Sequence, residues 1–273
     1  MTLLFLFIFG LFVGSFLNVL AERLPKGEDV IKGRSHCDFC KHKLRWYELI
    51  PLLSFLLQQG KSRCCHKQLS FQHPLIELIT GIGFVLLFRL LPDLRSFSEV
   101  GPPLSLLSTL YFLFSIVVFC SLLVIFVTDF TYEIIPIEMI ITGIIGTFLL
   151  HSTEFFRLPF SVFRLQTYGI QYFIPAIFAF LFFWVLWFFS KGKAMGDGDM
   201  YLAFIIGLLT GFPKIIIFFY VAFLTGAFVG IILILGGKKS LKAHIPFGPF
   251  LIWGYIVALL CGDQIVRLWG MIW

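Results

Sequence analysis

Apolar residues run through the chain in long blocks broken by short polar stretches. Eight blocks predict membrane-crossing helices: residues 3–20, 74–91, 106–128, 136–150, 170–189, 200–212, 215–235 and 245–261. At 1.5 Å of rise per residue, roughly 18 or more apolar residues cross a hydrocarbon core of ~30 Å. The fourth and sixth blocks are short, and they cross only if flanking side chains reach the interface or the bilayer thins. Residues 1–20 contain no Lys or Arg, so the first block reads as a span rather than a secretory signal. One long polar stretch, residues 21–72, separates the first two spans. Residues 93–103 and 152–168 read as loops on the opposite side, the second mixing aromatic and polar side chains as an interfacial segment does. The predicted fold is an all-α integral membrane protein of about eight transmembrane helices with a small insert between the first two.

Composition agrees with lipid as the solvent. Of 273 residues, 59% are hydrophobic, 13% are charged and 36 are Phe, more aromatic surface than one soluble core buries. Charge then orients the helices. If eight spans alternate, 15 of the 21 Lys and Arg fall on one side. They are Arg23, Lys26, Lys32, Arg34, Lys41, Lys43, Arg45, Lys61, Arg63 and Lys67 in the insert, then Lys191, Lys193, Lys238, Lys239 and Lys242. By the positive-inside rule that side is cytoplasmic. The net charge of +6 therefore reports topology and anionic headgroups, and no basic soluble module points to nucleic acid.

Carboxylates at membrane depth are costly and mark functional sites by default. Asp129 ends the third span, and Asp197 and Asp199 stand just before the sixth, in Met195-Gly-Asp-Gly-Asp-Met200. Span counting places all three at the cytoplasmic boundary. Two converging carboxylates do not readily ionise together, so such a pair shares a proton. One can then deprotonate a water while the other protonates a carbonyl oxygen or leaving amine, which is aspartic-protease chemistry. Gly196 and Gly198 are expected to take positive φ and let a substrate backbone approach. Read singly, each Asp is also an ordinary interfacial residue, Asp199 a helix cap, and the Gly-Asp-Gly-Asp string a turn or cation loop.

The insert carries Cys37-Asp-Phe-Cys40 and, some two dozen residues on, Cys64-Cys65-His66. Short-spaced Cys pairs separated by such a loop read as a structural zinc site, favoured over disulfides in the reducing cytoplasm. About fifty residues is little for an independent core, and a metal supplies the missing stability. Cys120 and Cys261 lie in spans and read as packing residues. Glu77 and Asn18 read as interfacial structural residues, Glu133 and Glu138 as solvated; His151 carries no functional reading.

Taken together, these segments resemble the type IV prepilin peptidases, the GxGD membrane proteases. The resemblance rests on Asp129-Phe-Thr-Tyr-Glu-Ile-Ile-Pro136 and Gly196-Asp-Gly-Asp199. It extends through Gly14-Ser-Phe-Leu-Asn-Val19, Arg23-Leu-Pro25, Trp46-Tyr-Glu-Leu-Ile-Pro-Leu-Leu-Ser54, His73-Pro-Leu-Ile-Glu77 and Ile245-Pro-Phe-Gly-Pro-Phe250. It implies that Asp129 and Asp199, not Asp197, are the catalytic pair, with Gly196 and Gly198 in the active-site loop. Ile137 and Tyr201 depart from the family pattern, which usually has an acidic residue and a Lys there. The family usually carries CxxC twice in the insert. Aligned on that pattern, Cys37, Cys40 and Cys65 are ligand positions, Ser62 replaces a Cys, and the fourth ligand is Cys64 or His66.

The resemblance also implies domains and activity. Residues 1–20 form the first transmembrane helix, 21–72 a cytoplasmic Cys-rich insert with the methyltransferase part, and 73–273 a seven-helix aspartyl peptidase domain. The expected activity is leader cleavage from prepilin or pseudopilin precursors in the bacterial inner membrane. N-methylation of the new N-terminus with S-adenosylmethionine would follow, although no Gly-rich donor-binding loop is visible. A peptidase without methyltransferase activity, or a non-catalytic transporter or assembly scaffold on the same fold, remains an alternative reading.

Overall fold

The computed structural model describes residues 1–30, 36–37, 39–40, 42–90, 106–157, 168–193, 195–236, 246–268 and 270. Lys32, Arg34, Lys41, the loop 93–103, most of 152–168, Lys238, Lys239, Lys242 and Ile245 lie outside the described residues. The described residues are almost entirely helical, with two isolated bridges and no strand. The helices are α1 (Thr2–Arg23), α2 (Leu53–Leu57), α3 (Gln72–Leu90), α4 (Leu106–Tyr132), α5 (Ile137–Arg157), α6 (Ile174–Ser190), α7 (Gly198–Thr210), α8 (Lys214–Leu235) and α9 (Gly248–Leu268).

Among the described residues, six helical stretches are long and apolar enough to cross a bilayer: Thr2–Lys26, Gln72–Leu90, Leu106–Tyr132, Gly169–Ser190, Lys214–Leu235 and Gly248–Leu268. The fourth and sixth expected spans are helices too, α5 and α7, but their apolar parts are shorter, so the expected count of eight is not reached on length and composition. The physical reason is plainest for α7. Its 13 residues rise only about 20 Å. Leu202, Ala203, Ile205, Ile206 and Leu208 are fully buried, and α5, α6, α8 and α9 all pack against it. A helix enclosed by other helices has its environment set by protein and need not match the lipid. The long helices differ: Phe5, Phe12, Leu224 and Phe228 are more than half exposed, surface that lipid would cover.

The chain divides into two compact units, Met1–Cys120 and Ser121–Trp273. In the first, α1 lies directly on α3. A Cβ at Gly10 would come 2.7 Å from the Gly81 Cα, and one at Gly14 would come 2.7 Å from the Glu77 Cα. Small residues allow this approach, and backbone contact replaces the hydrophobic drive that lipid removes. In the second, Phe183, Phe219 and Phe223 stack between α6 and α8, with centroids 5.9 to 6.4 Å apart, and Phe247 joins them 5.3 Å from Phe223. This aromatic cluster fixes the residue that precedes α9.

Candidate active site and thiol cluster

The second unit brings Asp129 and Asp199 together. Asp129 sits in the last turn of α4, which ends when Glu133 turns left-handed at φ 55° and its N–H donates to the Asp129 carbonyl at 3.0 Å. Asp199 sits in the first turn of α7. Both are almost fully buried, at 5% and 3% exposure, and each carboxylate feels the other's charge. Asp197, two residues away, is exposed.

A third element holds the pair. The Gly248 N–H, at the start of α9, donates to Asp129 Oδ2 at 2.9 Å. The helix N-terminus adds its partial positive charge there. A Cβ on Gly248 would fall 2.6 Å from that oxygen, so only glycine lets the backbone come this close. The Gly196 backbone amide hydrogen-bonds the Asp199 carboxylate, while Asp199 Oδ1 has no hydrogen-bond partner among the described residues. A buried carboxylate oxygen without a protein partner is costly unless water or a reacting group meets it.

Two expectations change here. Gly196 and Gly198 do not take positive φ. Gly198 serves close packing instead, since a Cβ there would lie 2.7 Å from the Ile135 Cβ in the turn after α4. Gly248 carried no role in the sequence reading, although it lies inside a matched motif. Its signal was the Pro246-Phe-Gly-Pro249 run opening an apolar span. Tyr201 is exposed, with its ring beside Phe180, and Ile137 is exposed too.

In the first unit the insert folds as two similar turns. The bridge His36–Lys43 closes one and Lys61–Gln68 the other. The Cys37 N–H donates to the His42 carbonyl and the Ser62 N–H to the Lys67 carbonyl, both at 2.8 Å. Ser62 thus occupies in the second turn the place Cys37 holds in the first, and Cys65 matches Cys40.

The Sγ atoms of Cys37, Cys40, Cys64 and Cys65 lie within 4.8 Å of one another. Cys37 and Cys65 are 3.8 Å apart, Cys40 and Cys64 2.9 Å. Zinc–sulfur bonds of ~2.3 Å give a tetrahedral edge of about 3.8 Å, which Cys37 and Cys65 match. Cys40 and Cys64 stand closer and would have to part, and with that adjustment the four thiols could hold a metal ion. Cys64 is the fourth thiol; His66, at φ 54°, is not in the group.

Burial pushes the Cys37 thiol up, but hydrogen bonds from Ser62, the Cys40 and Phe39 backbone and Cys64 outweigh it and bring it down to about 6. Cys40 is pushed up to about 12, chiefly by its hydrogen bond with Cys64. The thiols thus share protons unevenly, which a bound cation would displace.

Several smaller residues have clear places. Glu77 accepts the Leu52 N–H at 2.8 Å, so α3 pins the insert where α2 begins. Asn18 Nδ2 donates to the His73 carbonyl at 3.1 Å. His151 is buried, with its ring nitrogens on the Tyr168 hydroxyl and the Leu208 carbonyl.

Comparison with known proteins falls on the same two units. The model of the bacterial peptidase A24 N-terminal domain matches residues 8–91, and that of the type IV leader peptidase family matches residues 116–231. A prepilin leader peptidase/N-methyltransferase of Bacillus subtilis is 34% identical over 97% of this chain and 96% of its own length. The chain belongs to the type IV leader peptidase family. A Myxococcus xanthus protein of the same description is 34% identical over 86% of this chain and 64% of its own length. One from Aeromonas hydrophila is 30% identical over 96% and 91%. No solved structure matches the chain. Family membership and the six long apolar helices make this leader peptidase homologue a multi-pass membrane protein.

Proposed function

We propose that the chain is a membrane aspartyl endopeptidase that removes the leader of prepilin or pseudopilin precursors and then N-methylates the new N-terminus. The observation that carries the peptidase reading is the buried pair Asp129 and Asp199, one oxygen held by the Gly248 amide and another left without a partner. The pair holds one proton. The ionised member takes a proton from a water, the water attacks the scissile carbonyl carbon, and the protonated member donates to the carbonyl oxygen. Collapse of the tetrahedral intermediate returns a proton to the leaving amine and releases leader and mature chain. The excess of Lys and Arg on one side of the expected spans, by the positive-inside rule, supports a cytoplasmic-face site in the bacterial inner membrane. Methylation rests on the names of the relatives, and S-adenosylmethionine would be the donor. Residues 21–72 are assigned to that step.

The purified chain, given a prepilin-like precursor and S-adenosylmethionine, is expected to release the leader, with a gain of about 14 Da on the mature chain. Intact mass reports both steps, since methyl transfer replaces one hydrogen by CH₃. Cleavage without added mass would leave a peptidase lacking methyltransferase activity. An uncut precursor would favour the scaffold or transporter reading.

Zinc, held by Cys37, Cys40, Cys64 and Cys65, would supply the insert's stability and no step of the chemistry. Metal analysis at pH 8 is expected to give about one zinc per chain, released as the pH falls below about 6 because thiolates must be deprotonated to bind. The Cys37 thiolate acts in the same sense. Its folded value of about 6 lies below the ordinary 9.0, so its contribution is complete above about 9 and lost as pH falls through about 6. Cys37→Ser is expected to remove the metal and lower the melting temperature. Metal-free wild type with an unchanged Cys37→Ser variant would end the zinc reading.

A further inference from the structure

The first unit contains a cavity of about 210 Å³ between the inner ends of α1 and α3 and the insert. Its lining includes Ser15, Asn18, Glu22, Glu48, His73 and Glu77. The insert is strongly basic overall, yet this space collects carboxylates: Glu28 also lines it, against the two fixed cations Arg23 and Lys26. The Arg23 guanidinium is occupied by the carbonyls of Asp29 and Val30, at 3.0 and 3.5 Å. A group of carboxylates alone does not make a site. The deciding feature is Asn18, which is 7% exposed and whose Oδ1 has no hydrogen-bond partner among the described residues. Its amide is oriented by the Nδ2 bond to the His73 carbonyl, which commits the donor end and leaves the acceptor end for the cavity.

Glu77 is its neighbour in the lining and is 8% exposed. It is held by the Leu52 N–H and the Ser15 hydroxyl, two bonds that fix its orientation from the protein side. A cavity with a pre-oriented carboxyl, an orphaned amide oxygen and a second acid, Glu22, which also faces His73 Nε2 at 3.5 Å, offers acceptors and negative charge. It calls for a ligand with several N–H donors and positive charge.

We propose that this cavity binds a small alkylammonium group, with Asn18 Oδ1 and Glu77 as its acceptors. The inference rests on the methyltransferase reading, which requires two such groups near the insert. One is the α-amine of the freshly cut chain, and the other is the α-ammonium end of the methyl donor. In the transfer itself the neutral amine's lone pair forms a bond to the donor's methyl carbon as the carbon–sulfur bond breaks. The sulfonium leaves as a thioether, and the methylated nitrogen sheds a proton. A carboxylate beside the amine both binds the ammonium and can accept that proton.

The test uses the full chain in detergent and equilibrium binding of three probes. The first is a short peptide with an apolar first residue, a free α-amine and no Lys or Arg. The second is its N-acetylated twin, and the third is S-adenosylhomocysteine, which keeps the ammonium and lacks the sulfonium charge. Wild type is expected to bind the free-amine peptide, S-adenosylhomocysteine or both. Glu77→Gln and Asn18→Leu should each weaken that binding about tenfold or more, the scale of one charge-assisted hydrogen bond. A preference for the free over the acetylated peptide names the cut chain as the source. Affinity for S-adenosylhomocysteine alone names the methyl donor.

Asn18→Leu leaves the Glu77–Leu52 bond in place, so agreement of the two variants at wild-type melting temperature excludes simple unfolding. Absence of binding of any probe, or both variants binding like wild type, overturns the proposal. Wild type that binds the amine but never methylates keeps the cavity and removes the methylation reading. Wild type that methylates while both variants bind and methylate normally does the reverse.

Discussion

Asp129→Asn and Asp199→Asn will each lower leader cleavage by at least about a thousandfold, with the double variant no slower than the worse single one. The substitution keeps shape and removes the ability to give or take a proton, and general acid–base catalysis contributes ~10²–10⁴ per positioned group. In the proposed mechanism the two carboxylates share one proton, so the pair acts as a unit and its losses do not add. The exposed neighbour Asp197 is the contrast: Asp197→Asn is expected to cut within about threefold of wild type, as surface changes away from the chemistry usually do. Single-turnover cleavage of a prepilin-like substrate, scored by intact mass, measures all four proteins. Either single variant retaining more than a tenth of the wild-type rate would remove that residue from the chemistry.

Gly248→Ala will slow cleavage about 10- to 100-fold, mainly in kcat, although it adds one methyl far from both Asp129 and Asp199 in sequence. The added Cβ would stand 2.6 Å from Asp129 Oδ2 and 3.3 Å from its Cγ, too close for either atom to stay where it is. Relief comes by moving the carboxylate or the start of α9, and Phe247 is anchored in the aromatic cluster beside it. The carboxylate must therefore shift, and displacement near 1 Å at a reacting group costs up to ~10² in rate. A steady-state comparison of kcat and KM, with melting temperature recorded alongside, separates misplacement from unfolding. A variant cutting at more than half the wild-type kcat would mean the Gly248 amide does not position Asp129.

The sequence made some of this legible and hid the rest for identifiable reasons. Hydropathy placed the six long apolar helices found among the described residues, because apolar length is a property of consecutive residues. It could not say that α7 is short because protein surrounds it; that depends on what packs around Ile205 and Ile206. Asp129 and Asp199 stood out as carboxylates at span ends in matched motifs. Gly248 did not, since its bond to Asp129 crosses 119 residues and leaves no local pattern. The thiols show the same limit. Spacing marked the cysteine pairs and the family resemblance implied Cys37, Cys40 and Cys65, but whether Cys64 or His66 completes the group depends on side-chain direction. The backbone bridges that flank each turn settle that direction. Glycine was misjudged from the other side: Gly198 needed room against Ile135, not an unusual dihedral.

The equivalence of Ser62 and Cys37 in the two turns bears on how such a site can drift. Ser62 Oγ still lies 3.4 Å from the Cys37 sulfur and 3.0 Å from the Cys64 sulfur, at the edge of the group it would join as a cysteine. A chain with Cys at both 62 and 64 would hold five thiols around one point, one of them spare. From there either residue can be lost without the group falling below four. The doubled CxxC pattern and the arrangement seen here are therefore connected by single substitutions through a viable intermediate. In this turn the fold prescribes where a sulfur must arrive, and more than one position along the chain can deliver it.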